Sequence, residues 1–260
     1  MRRSTIYLGI SLALLGVGLF NACRKGRRNS STCTCRTTDK PVNTQPGSVT
    51  GTQAPVAPQP GRETPRQLLD EAYEHGLGGD YDSASRKARM AAVKLELAQE
   101  PWSQRAEAEL MLAYAERGYE MFSSSIGTHN RIIQRGKTHG DIEPDVLIDA
   151  HVGRAAAQAE LFQFQFARDD LATALELALQ QAEGDDPDGR AAYQLACVYA
   201  VRSQLWEKEG DPSAAERDRQ LALNRLRIAR RNGYENFRHM VADLDLASLR
   251  GTPEFRALLK

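Results

Sequence analysis

The chain has 260 residues, 41% hydrophobic and 26% charged with few aromatics, enough for one well-buried domain plus additional segments. Its formal charge of zero divides into +7 through Thr64 and −7 beyond it, so the part able to fold is mildly acidic. That balance excludes the basic face that nucleic-acid binding requires, and an acidic surface by itself speaks for solubility rather than for a particular partner.

Met1-Arg2-Arg3 precedes an apolar run from Ile6 to Phe20. A short basic head followed by such a run is a secretory signal or a membrane anchor, and Thr5 to Cys23 is long enough to cross a hydrocarbon core of about 30 Å as a helix. Phe20-Asn21-Ala22-Cys23 resembles a bacterial lipobox, with Phe20 where leucine is usual. In that reading Cys23 carries the lipid. The basic cluster Arg24-Lys25-Gly26-Arg27-Arg28 comes at once after it and hinders translocation; an uncleaved helix tolerates Phe20 but has basic residues on both flanks, which leaves its orientation open. Ordinary cleaved export is the third alternative. Residues 1–23 are therefore read as signal or anchor, which places the protein at the cell envelope.

Residues 24–64 are dominated by Ser, Thr, Gly, Gln and Pro and nearly lack large apolar side chains. Such a segment cannot bury enough surface to offset its chain entropy and is expected to be a disordered linker. Cys33 and Cys35 lie within it with no further ligand near enough to complete a zinc site, and a disulfide between residues so close is strained.

From residue 65 to 260 the composition predicts helix alone. Pro65, Pro101, Pro144, Pro187, Pro212 and Pro253 each stand where a helix can begin, since the first helical amide has no partner to lose. Thr64, Asp186, Asp211 and Thr252 precede four of them as N-caps. Between these points Ala, Leu, Glu, Gln and Arg prevail. The first four starts lie 36, 43 and 43 residues apart, a step that fits helical-hairpin repeats. In the first unit Leu68, Leu69, Ala72 and Tyr73 line one helix, Gly79-Asp80-Tyr81 turns the chain, and Ala84, Ala88 and Ala91 line the return helix. The second unit is helical from Trp102 to Phe122, turns at Gly118-Tyr119, and gives way to a polar piece over Gly127–Asp141 around Ile132-Ile133. In the third, Phe162, Phe164 and Phe166 are expected in a core. The fourth, Ala191 onward, is two long amphipathic helices joined at Lys208–Pro212, with Cys197 as a small core residue and Gly233 closing the second.

These features resemble the tetratricopeptide repeat. Ala72 stands at that family's small first-helix position, Gly79-Asp80-Tyr81 at its turn, and Ala84 and Ala91 at its second-helix alanines, with Leu68 and His75 where aromatics are usual. Leu195, Ala196, Tyr199, Ala222 and Ala229 match the same pattern in the last unit. The remainder of the chain resembles a recurrent ending of bacterial arrays of this kind: Gly233-Tyr234, Asp243 to Leu246, Leu249, Pro253-Glu254-Phe255 and Leu258-Leu259. In many relatives that ending closes a chain beginning with a protein kinase domain, but no kinase motif is present in this sequence. The resemblance implies a short α-solenoid whose tail seals the last hairpin. Its first helices would line a concave groove for extended peptides, with Arg66, Asp70 and Tyr73 from the first unit and Arg190, Tyr193 and Gln194 from the fourth.

The five histidines are scattered, and none is paired at metal-binding helical spacing. His139-Gly140-Asp141 with Glu143 and Asp145 is the densest polar cluster, and a solvated loop accounts for it. No cofactor, metal or catalysis is expected. The sequence points to a membrane-anchored scaffold that binds a protein or peptide. The alternative is a structural or self-assembling envelope lipoprotein.

Overall fold

The computed structural model describes residues 63–260, apart from Asp141, Asp185 and the side chain of His139. The anchor expected over 1–23, with Cys23, and the linker expected over 24–64, save its last two residues, lie outside the described residues, as do Cys33 and Cys35. Among the described residues there is no strand, and no helix is long and apolar enough to cross a membrane.

Eight helices form four hairpins: α1 (Pro65–Leu77) with α2 (Tyr81–Leu97), α3 (Trp102–Gly118) with α4 (Phe122–His139), α5 (Pro144–Glu160) with α6 (Phe164–Ala182), and α7 (Arg190–Glu209) with α8 (Pro212–Arg231). Then come α9 (Phe237–Ala242), a 3-10 helix (Leu244–Leu249) and α10 (Pro253–Leu258). Local chemistry sets the boundaries. Thr64 caps α1 in a reciprocal box with Gln67, and Asp211 and Thr252 cap α8 and α10 ahead of a proline at the first helical position.

All four hairpins turn in the same way. The second residue before the return helix takes a left-handed backbone: Gly79 at φ 78°, Glu120 at 61°, Phe162 at 58° and Gly210 at 82°. The next amide donates back to a carbonyl five residues earlier, from Asp80 to His75, Met121 to Glu116, Gln163 to Gln158 and Asp211 to Trp206, at 2.8–2.9 Å. The third and fourth hairpins share a further register. Arg154 grips Asp170, and Arg202 grips Asp218, each as a two-pronged pair across the hairpin, with Arg202 at 2.6 and 2.7 Å. The chain is thus a repeat array in its bonding as well as in its outline.

Small side chains let the helices close up. Ala72, Ala84, Ala88, Ala91, Ala174 and Ala222 have no exposed surface. Each helix packs on the next, and the first helices α1, α3, α5 and α7 also touch in succession, whereas the second helices make no comparable contacts with one another. The first helices therefore form the inner, concave row.

Three expectations need correction. Gly127–Asp141 is no loose polar piece, because α4 runs through to His139. Its poor helix formers are held by tertiary contacts: Ile132 and Ile133 are fully buried, Ser125 donates to the Ala113 carbonyl at 2.9 Å, and Thr128 donates to Glu116 at 2.9 Å. Next, α7 begins at Arg190 rather than Pro187. A Cβ on Gly189 would lie 2.2 Å from the Ala229 carbonyl oxygen, so the chain must pass α8 as a left-handed glycine before helix can start. Asp186 still caps α7, accepting from the amides of Ala191 and Ala192 at 3.0 and 3.1 Å. Finally, Phe162 and Phe166 are 75% and 64% exposed, and only Phe164 packs against the core. The reason is the turn: Phe162 occupies its left-handed corner, which leaves no core to point into.

The tail does more than seal the last hairpin. Leu246, Leu249, Phe255 and Leu258 bury themselves against the α7–α8 core as expected. In addition, the segment from Tyr234 to Asp245 crosses the concave side to α1. Asn236 donates to the Tyr73 hydroxyl at 3.1 Å, and Arg238 pairs with Glu74 at 2.6 Å.

Candidate functional site

This crossing turns the concave groove into a cavity of about 620 Å³. Its walls come from α1, α3, α4, α5, α6 and α7 and from the C-terminal segment. All six residues expected in the groove line it: Arg66, Asp70 and Tyr73 from α1, and Arg190, Tyr193 and Gln194 from α7. Residues from opposite ends of the array therefore face one space.

The mouth is polar and loosely held. Arg66 spans Asp70 at 3.1 Å and Glu107 at 3.3 Å with its side chain 70% exposed, and Arg190 is as open beside Asp188. Exposed pairs of this kind contribute little to stability. Deeper in, the wall is aromatic. Tyr193 stacks on Tyr234 with ring centres 4.3 Å apart, His239 lies 5.7 Å from Tyr193, and Tyr73 stacks on His239 at 5.8 Å. The Tyr193 hydroxyl donates to Asp243 at 2.6 Å. Burial raises the Tyr193, Tyr73 and Tyr234 phenols above their usual range, so all three stay neutral.

Acids converge on the floor. Asp145 and Asp149 sit one turn apart on α5, so both point the same way. Gln194 ties them to α7, its amide nitrogen donating to the Asp145 carbonyl oxygen at 3.1 Å and to the Asp149 carboxylate at 3.0 Å. Asp243 and Asp245 enter from the tail. Asp149 is open to the cavity yet enclosed by protein, and burial pushes its carboxyl up to about 8, with Asp245, Asp145 and Asp243 adding to the rise. Burial and Asp243 likewise raise Asp245, against the pull of Arg117. Arg117 is 8% exposed and pairs with Asp245 at 2.6 Å. Its burial is outweighed by Asp245 and Asp243, which hold the guanidinium charged. Its Nε and Nη1 find no partner in the protein.

Two more groups complete the wall. His129 is 3% exposed; burial, with Arg117 and Arg154, lowers its imidazole to about 3, so the ring is neutral. Its Nδ1 is buried without a partner. Cys197 is buried as expected, but it also lies 3.6 Å from Asp243, and burial with that charge keeps it a thiol.

The repeat resemblance points to the α1 and α7 contributors and misses Arg117, Asp149, Asp243 and Asp245. Asp145, expected in a solvated loop, lies in the first turn of α5 and lines the cavity. The Asp243-Leu244-Asp245-Leu246 stretch is visible as a tail signature. In the structure Leu246 enters the α7–α8 core while Asp243 and Asp245 line the cavity. A scan against protein-family models and a search of curated proteins each find no match for this chain.

Proposed function

We propose that the chain is a non-catalytic binding module, related in plan to tetratricopeptide arrays, that receives part of a protein partner in its concave cavity while its N-terminal stretch holds it at the cell envelope. One observation carries this reading: side chains of α1 and α7, more than a hundred residues apart in sequence, line the same cavity with the tail. A space of this size matches sites that enclose a small group rather than a whole helix. The partner therefore inserts one or a few side chains, not a long extended peptide. Burial keeps the Cys197 thiol, the Tyr193 phenol and the His129 imidazole of the cavity neutral.

Photo-crosslinking in intact cells tests the proposal. A crosslinker at Gln194, in the cavity, is expected to capture a discrete protein, while one at Gln220, on the outer face of α8, is not. Equal capture from both positions, or none from Gln194, would remove the cavity as the partner site. The exposed Phe162 and Phe166 favour a second reading, self-association through the α5–α6 turn. Light scattering decides that point, since a strict monomer eliminates it.

A further inference from the structure

We infer that the cavity is a site for an organic cation: it takes an alkylammonium or guanidinium group between its tyrosine wall and the carboxylates of Asp145, Asp149 and Asp243. This rests on the cavity being the binding site, and it names what enters.

The charge balance argues for it. Among the described residues, no Lys, Arg or His nitrogen lies within 4.0 Å of the Asp145 or Asp149 carboxylate, while the Arg117–Asp245 pair cancels itself. The Asp243 carboxylate pairs directly with His239 alone, at 3.6 Å, with Arg117 acting on it from farther off. Carboxylates gathered in an enclosed space without counter-charge are costly until a cation arrives. The walls suit the same guest, because tyrosine faces attract cations, most strongly where water is excluded. Hydrogen bonding points the same way. The Gln194 amide nitrogen is fixed by two acceptors, which leaves its Oε1 a buried acceptor with no partner. His129, more than nine-tenths buried and also lining the cavity, keeps its Nδ1 without a partner. An ammonium or guanidinium brings N–H donors in the number required.

A metal ion is the obvious rival, since Cys197, Asp243 and Asp245 bring ligand atoms within 4.8 Å of one another. Those atoms are already engaged. Asp243 accepts from the Tyr193 hydroxyl, Asp245 is paired to Arg117, and the sulfur is held as a thiol. Soft cations need a thiolate.

The cation can be a lysine or arginine side chain of the partner or a free polyamine. The unpartnered Nε and Nη1 of Arg117 favour the former, because a residue carries a carbonyl oxygen to accept from them and a polyamine does not.

Calorimetric titration of the full chain at pH 8.5 tests this with three probes: acetyl-Gly-Lys-Gly-amide, the same peptide acetylated on its lysine, and spermidine. The lysine peptide binds and its acetylated form does not. Tighter binding of the lysine peptide identifies the side-chain source, and tighter binding of spermidine the free polyamine. Asp149→Asn and Asp145→Asn each weaken binding at least fivefold with an unchanged circular-dichroism spectrum. The groups facing Asp149 are Asp145 on its own helix, Gln194 and Cys197 on α7, and Asp243 and Asp245 in the tail. Burial raises the Asp149 carboxyl, so the cation must displace its proton and affinity rises from pH 7 to pH 9. Equal binding of the acetylated peptide, no binding of either cation, or indifference to both substitutions would overturn the inference. Should Gln194 crosslink to a protein that the cationic probes fail to displace, the inference falls and the binding-module reading stands. Should no crosslink form while spermidine binds, the reverse holds.

Discussion

Asp149 carries a carboxyl that burial and three neighbouring aspartates push up to about 8. The folded protein therefore retains a proton that the unfolded chain sheds near pH 4, and stability declines as pH rises from there to about 8. An asparagine in its place would not titrate and would keep the bond from Gln194. Asp149→Asn is expected to gain thermal stability relative to the parent, by more at pH 8.5 than at pH 5; a constant difference at the two pH values would contradict the assignment. At the other side of the floor His129 rests on Gly153. A Cβ there would stand 2.4 Å from the ring nitrogen, and the ring is too enclosed to swing away. Gly153→Ala should cost about 1–3 kcal/mol, read from the urea midpoint, through overpacking. An unchanged midpoint would mean that α4 and α5 are less closely apposed.

At the scale of the element, the shared turn explains which hairpins are legible in the sequence. Gly79 and Gly210 supply the left-handed corner in the first and fourth hairpins, and Asp80 and Asp211 cap the helix after it. In the second and third, Glu120 and Phe162 hold the same backbone angle and the next residues, Met121 and Gln163, make no cap. The geometry is shared and the side-chain signature is gone, so the middle of the chain reads as irregular. A left-handed non-glycine residue is strained by about 1–2 kcal/mol, part of which glycine returns through its freer unfolded state. Glu120→Gly is therefore expected to stabilise the protein by about 0.5–1 kcal/mol. A chemical denaturation curve checks this, and a loss of stability would show that the exposed Glu120 side chain does more than occupy the corner. The same reasoning separates α4 from its sequence. Ser, Thr, Asn and Gly argue against a helix there, and only the surface offered by α3 and α5 makes those residues worth ordering.

Across the whole molecule, the tail determines whether the concave face is an open trough or an enclosed site. It is tethered to α1 by the Asn236–Tyr73 bond, the Tyr73–His239 stack and the Arg238–Glu74 pair. Both partners of that pair are more than half exposed, so it contributes no more than about 1 kcal/mol. That pair is thus a weak contact, beside the buried Arg117–Asp245 pair that holds the same segment to α3. Arg238→Glu, which sets like charges face to face, should leave the melting of α7 and α8 nearly unchanged. It should quicken amide exchange in α9, because that short helix opens before the core beneath it. Uniform acceleration across α7, α8 and α9 would instead mean that tail and hairpin open as one unit.

What the sequence determined by itself is whatever chemistry acts within a turn or between neighbouring helices: the prolines and caps that start helices, the glycines that turn two of the hairpins, and the alanine spacing that lets α1 close on α2 and α7 on α8. The resemblance to the tetratricopeptide repeat pointed to six residues that line one cavity. The tertiary structure alone decided that α4 is helical, that Phe162 and Phe166 face outward, and that Asp149, Arg117, Asp243 and Asp245 meet. The reason is distance along the chain. The bonds that close the cavity join residues 163 and 164 positions apart, and whether those residues come within reach depends on the summed curvature of four hairpins, a quantity that no local pattern of side chains encodes.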